Sequence, residues 1–114
     1  MDYYTIECLA EDYASALKAE YESKLHLEQL RGQVERLEGV TLAAAYEDGT
    51  IDGKNADVRK RQEANALAND GGYQEALHAV AEAERLANAA TVDVEHKRAL
   101  NSLTKAWLYS QAGV

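Results

Sequence analysis

Leu9, Tyr13, Ala16, Glu20, Ser23, Leu27, Leu30, Val34, Leu37, Thr41 and Ala44 follow one another in alternating steps of four and three. That spacing holds one seam of a helix against a neighbour, as in a coiled coil. The seam is strongest over Leu27, Leu30, Val34 and Leu37, while Glu20 and Ser23 interrupt it. Beside it, Leu17, Tyr21 and Leu25 offer a second apolar strip, suited to a wider, bundle-like face. Thr5 is a candidate N-cap, with Tyr4 and Leu9 placed to form a hydrophobic staple, so helix 1 is expected over about 5–47. Gly32 and Gly39 lie on the side opposite the leucine seam. They sit on an exposed face, or Gly39 ends the helix, or they let another backbone approach closely.

The pattern stops at Glu47. Residues 48–55 hold Gly49 and Gly53, which supply backbone freedom, and Asp48, Asp52 and Asn55, which can bond open backbone N–H groups. This is the expected hinge, with Asn55 as N-cap and Asp57 in the first turn of helix 2. Helix 2, about 56–68, is thinly apolar. Asn69-Asp70-Gly71-Gly72 gives a second turn, and helix 3 follows over about 73–110. Its first stripe is Leu77, Val80, Ala83, Ala87, Ala90 and Val94, and Leu100, Leu103 and Trp107 mark a stripe rotated around the axis. The expected fold is all-α: two long antiparallel helices in a coiled-coil-like hairpin with a short helix between them, in one domain of residues 1–114.

Composition strengthens the helical reading. The 114 residues contain no proline and no phenylalanine, and alanine, glutamate, lysine, glutamine and leucine permit helix nearly everywhere. A net charge of -8 opposes attraction to phosphate backbones and anionic lipid. Its acidity is concentrated early, with eleven acids against four bases over residues 1–48. Cys8 is the only cysteine, so an intrachain disulfide and a cysteine zinc cluster are both out of reach. With no apolar run long enough for a bilayer and an acidic, tyrosine-rich start, a cytoplasmic location is expected.

Candidate chemistry is sparse. Asp48, Thr50, Asp52 and Gly53 fit the first half of a calcium loop, but Arg59 stands where its bidentate glutamate belongs. Residues 49–55 echo a phosphate-binding loop, yet they are one residue short between the glycines and carry Asn55 at the magnesium-binding position. His26, His78 and His96 share no ligand spacing. No catalytic residue, metal or cofactor is assigned. Arg59-Lys60-Arg61 is the one basic patch, placed to pair with the acidic first arm or to contact phosphates or an acidic partner. Trp107 is either core against Tyr3 and Tyr4 or an aromatic anchor for a partner.

The run Gly49-Thr50-Ile51-Asp52-Gly53-Lys54-Asn55-Ala56-Asp57-Val58-Arg59-Lys60, followed by a long alanine- and glutamate-rich helix, resembles small bacteriophage-encoded helical proteins carrying a G-x-I-x-G-K-N-A-x-x-R-K turn. That resemblance implies phage origin, hence a host cytoplasm, and a helical hairpin; it carries over no functional residue. Two antiparallel helices each hide one stripe, and small scaffolds of this kind complete a core with helices from another chain. The expected role is therefore a non-enzymatic interaction module that forms a homodimer or higher oligomer. It would bind a further phage or host protein through helix faces, with Leu27, Leu30, Val34, Leu37 and Trp107 as contacts. The alternative is an acidic inhibitor that mimics nucleic acid; direct DNA binding through Arg59-Lys60-Arg61 ranks below both.

Overall fold

A computed structural model describes residues 2–112. Its elements are α1 (Tyr3–Glu47), α2 (Ala56–Ala68) and α3 (Gly71–Ala112). Among the described residues there is no strand, so the fold is all-α: an antiparallel hairpin of two long helices with a short helix between them. Two compact units divide the chain, one formed by residues 1–26 with 84–114 and the other by 27–83.

The first helix starts earlier than the pattern predicts because its cap is Asp2, not Thr5. The Thr5 N–H donates to Asp2 Oδ1 at 2.7 Å, and the Ile6 N–H reaches Asp2 O at 3.2 Å. Tyr4 is 74% exposed, so the expected staple with Leu9 does not form. The cap also holds the Asp2 carboxyl below its ordinary value, chiefly through the Thr5 backbone N–H and then the Thr5 side chain.

In both units the covered face of α1 follows the four-three seam as far as Thr41, after which Ala45 is buried in place of the expected Ala44, which is exposed. Ala16 and Leu27 are buried, and Leu9, Tyr13, Glu20, Ser23, Leu30, Val34, Leu37 and Thr41 are half-buried. Glu20 stays within the seam because Lys24, one turn on, reaches its carboxylate at 3.5 Å. The second strip is uncovered: Leu17, Tyr21 and Leu25 are all exposed.

On α3 the seam corrects the sequence reading. Tyr73, Ala76, Val80, Ala83, Ala87, Ala90, Val94, Lys97, Asn101 and Thr104 are covered in an unbroken three-four repeat, flanked by the half-buried Gln74, Ala79, Thr91, Leu100 and Trp107. Leu77 and Leu103, expected on the packing stripe, are exposed. The repeat continues through polar residues, and of the expected rotated stripe Leu100 and Trp107 are half-buried while Leu103 is not covered. Lys97 is neutralised by Asp93, which it meets at 3.0 Å, and the Thr104 hydroxyl donates to its own Leu100 carbonyl at 2.9 Å. A hydroxyl bonded back to the preceding turn can be buried without an orphaned donor.

Both glycines of α1 are interior to a continuous helix, so Gly39 ends nothing. A Cβ built on Gly32 or Gly39 meets no atom within 4 Å. Gly32→Ala and Gly39→Ala are therefore each expected to stabilise the protein by about 1 kcal/mol, read as a higher urea midpoint. A lower midpoint would reveal a close backbone neighbour.

Candidate functional site

The hinge is built inside the unit formed by residues 27–83. Gly49 has φ +83°, a conformation L side chains rarely adopt, and it reverses the chain at the end of α1. Its N–H donates to Tyr46 O at 3.4 Å. Thr50 gives both its N–H, at 2.9 Å, and its hydroxyl, at 2.6 Å, to Asp48 Oδ1. The Ile51 N–H then reaches back to Ala45 O at 3.0 Å. With the Thr50 N–H engaged by a carboxylate, the loop closes one residue later than in a Schellman turn.

Ile51 fastens this loop. It is 4% exposed, the most buried residue of the hinge, although the sequence pattern singled out its glycines and polar residues instead. The signal that could have found it is simple: a lone β-branched apolar residue between two glycines has nothing to do in solvent.

The second half of the hinge hangs from Gln62 of α2. Its Oε1 accepts from the N–H groups of Asp52 at 3.1 Å and Gly53 at 2.8 Å, and its Nε2 donates to Asp52 Oδ1 at 2.9 Å. A Cβ on Gly53 would lie 2.7 Å from Val58 Cγ1 and 3.0 Å from Gln62 Oε1, so close approach requires glycine there. Asn55 caps α2 by accepting the Val58 N–H at 2.9 Å, with Asp57 in the first turn. Gly49, Gly53 and Asn55 are thus the hinge residues expected from the sequence, and their task is structural.

The basic patch divides. All three residues are exposed, but Arg59 donates to Gly53 O at 3.3 Å and so braces the hinge. The tie between α1 and α2 comes from the Tyr46 hydroxyl, which donates to Glu63 Oε1. That bond raises the Tyr46 pKa above its ordinary value.

The Asp48 carboxyl is held below its ordinary value of 3.8, mainly by the Thr50 hydroxyl and then by the Thr50 N–H. A depressed carboxyl contributes stability that is present above its unfolded value and is lost as pH falls through the lower folded one. Asp2 adds to the same trend. Thermal stability is therefore expected to fall on acidification through and below the ordinary carboxyl range, less steeply in Asp48→Asn. An unchanged slope in that variant would remove Asp48 from the account.

Leu27 is buried, and Leu30, Val34 and Leu37 are half-buried, so these expected contact residues line the seam of their own unit. Leu37 also joins Gln33, Arg36 and Val40 along a surface groove of about 380 Å³. Trp107 is half-buried, while Tyr3 and Tyr4 are 75% and 74% exposed and provide no enclosed aromatic core for it. His26, His78 and His96 are all exposed. Among the described residues no group of three histidine, cysteine or carboxylate side chains is arranged to hold a metal, and no helix is long and apolar enough to cross a membrane.

What sequence reasoning missed is where the uncovered apolar side chains collect. Of the thirteen exposed large hydrophobic residues among the described ones, ten lie in the unit made of residues 1–26 and 84–114. They include Leu17, Tyr21 and Leu25 on α1 and Leu86, Val92 and Leu103 on α3. The seam of that unit, by contrast, runs through Ala16, Glu20, Ser23, Ala87, Lys97 and Thr104. Val94, 2% exposed, and the half-buried Leu9, Tyr13, Leu100 and Trp107 are also covered in that unit, while Leu17, Tyr21, Leu25, Leu86 and Leu103 are not.

Comparison with protein-family models, with curated proteins and with solved structures found no match to this chain.

Proposed function

We propose that this chain is a non-enzymatic helical interaction module of bacteriophage origin, which self-associates and binds a further protein through helix faces. The observation that supports it most is the number of large apolar side chains left uncovered in the unit of residues 1–26 and 84–114, Leu17, Tyr21, Leu25, Leu86 and Leu103 among them. A protein folded for isolation places large apolar side chains in its seam, because burying one removes it from water at a gain of about 1.5–3 kcal/mol. Here that gain is deferred to association. Large apolar patches on a soluble domain mark contact surfaces, and helical scaffolds complete their cores with helices from another chain. The first partner is thus a second copy, and the completed bundle presents its remaining faces to another protein.

The competing reading, an acidic inhibitor mimicking nucleic acid, is weakened by neutralisation along α1. Lys18 lies 4.0 Å from Glu22, Lys24 3.5 Å from Glu20, and Arg31 3.7 Å from Glu28. These pairs blur any regular row of carboxylates.

Sedimentation velocity on the full chain tests the proposal. The wild type is expected to form a dimer or larger species at low micromolar concentration, and Tyr21→Lys/Leu25→Lys to sediment as a folded monomer. Because both residues are exposed, the substitutions spare the seam. A wild type that stays monomeric at high micromolar concentration would refute self-association.

A further inference from the structure

Several of the chain's cations are neutralised along their own helices: Lys18, Lys24, Arg31 and Lys97 each lie within 4.0 Å of a carboxylate three or four residues away. Those around the start of α2 are not. Residues 54–61 hold Lys54, Arg59, Lys60 and Arg61 against a single acid, Asp57, and all five are exposed. Arg59 is turned back onto the Gly53 carbonyl. Lys54, Lys60 and Arg61 meet no carboxylate among the described residues, so the pairing with the acidic first arm that the sequence allows is not made by them within the chain. The covered residues of α2 are Val58, Gln62, Glu63, Ala66 and Leu67, which leaves Lys60 and Arg61 on its outer face.

The complementary surface lies on the same chain. Residues 2–17 contain Asp2, Glu7, Glu11 and Asp12 and no lysine or arginine. Asp2 is engaged as the cap of α1. Glu7, Glu11 and Asp12 are exposed and have no cation beside them among the described residues. Glu7 and Glu11 stand one turn apart on one face, where like charges repel. Tyr4, 74% exposed, shares that face. Two carboxylates beside an aromatic ring suit a neighbouring lysine and arginine, because each cation gains an anion and the guanidinium gains a ring to stack on. A nucleic-acid backbone suits the patch less well, since its phosphates would run past these few cations onto a chain of net charge -8.

We propose that the outer face of α2, through Lys60 and Arg61, docks on Tyr4, Glu7 and Glu11 of a second copy of this chain. The contact rests on the self-association proposed above and adds an electrostatic surface to the apolar one at Tyr21 and Leu25. Charge complementarity of this kind sets the register between partners. Because the two faces differ, a two-fold pair of copies makes the contact twice.

The test mixes equal amounts of ¹⁴N and ¹⁵N full chain and treats them with a carbodiimide, which joins a lysine amine to a carboxylate in contact with it. At 0.1 M salt Lys60 is expected to be joined to Glu7 or Glu11 in peptides of mixed isotope. The yield should fall about tenfold or more at 1 M salt, where charges are screened beyond about 3 Å. Lys60→Glu/Arg61→Glu and Glu7→Lys/Glu11→Lys alter only exposed side chains. Each variant alone should lose the cross-link, and mixing the two should restore it between position 60 or 61 of one and position 7 or 11 of the other. Same-isotope peptides alone would place the pairing within one chain and overturn the proposal. A mixture of variants without cross-links would overturn it too, as would a wild type without them whose Lys60 is instead protected from acetylation by a short DNA duplex. A wild type that sediments as a dimer yet gives no cross-link overturns this contact and leaves self-association standing; a monomer without cross-links overturns both.

Discussion

Replacing Ile51 by alanine is expected to destabilise the protein by about 2–5 kcal/mol, the range for deleting a buried isoleucine side chain down to its Cβ. The hinge has no second apolar anchor of comparable burial: Ile51 is 4% exposed, and Asp48, Gly49, Thr50 and Asp52 around it are exposed. Its backbone N–H also closes the end of α1 on Ala45 O, so loosening the side chain loosens the turn. Ile51→Val, which keeps the branch at Cβ, should cost only about 0.5–1.5 kcal/mol. Urea denaturation of the two variants beside the wild type measures both. A loss below that of the valine variant for Ile51→Ala would mean that the glycines and carboxylates hold the hinge without an apolar anchor.

Enlarging the α3 seam should do comparable harm in the opposite geometric sense. Ala87 is 4% exposed, so a leucine there would have to displace the side chains that cover it. Ala87→Leu is expected to destabilise by about 1–3 kcal/mol through overpacking. Ala89→Leu, two residues on and exposed, should change stability by no more than about 0.5 kcal/mol. Equal midpoints for the two variants would contradict the seam assignment. The contrast matters because leucine favours helix nearly as well as alanine, so only packing separates the two sites.

These predictions also mark where the sequence was legible. The α1 seam could be read directly because Leu27, Leu30, Val34 and Leu37 combine the right spacing with large apolar side chains, and periodicity methods weigh both. The cap at Asn55 was legible because capping is a local property, set by a side chain and an N–H three residues on. On α3 the same logic held for Val80, Ala83, Ala87, Ala90 and Val94 and missed at Leu77 and Leu103. Leu100 and Trp107 are half-buried, but Leu103 is exposed, and the polar Lys97, Asn101 and Thr104 are covered as well. Each of those polar residues can be covered only if something answers its polar group, as Asp93 does for Lys97 and the Leu100 carbonyl for Thr104. Such answers are invisible to an apolar count. The start of α1 was misplaced for a related reason: Asp2 and Thr5 are both good caps, and the sequence alone does not decide which one turns its oxygen onto the chain.

The candidate surface was legible only in outline. That two slender helices leave apolar side chains uncovered follows from geometry, but which ones depends on the seam. Leu27 to Leu37 were the obvious contacts because they are the most regular leucines in the chain, and regularity is what an intrachain partner exploits first. The second strip, Leu17, Tyr21 and Leu25, is left exposed.

Asp70 accepts the Tyr73 N–H with one carboxylate oxygen and the Thr41 hydroxyl, at 3.4 Å, with the other. The start of α3 opens with Gly71 and Gly72, residues that favour fraying, so this helix begins on weak footing and is steadied from across the loop. The order of events during folding follows: the first turn of α3 should remain unprotected until the end of α1 has formed beside it. Pulse-labelled amides of Tyr73 and Gln74 would then gain protection together with those near Thr41, later than amides farther along the same helix.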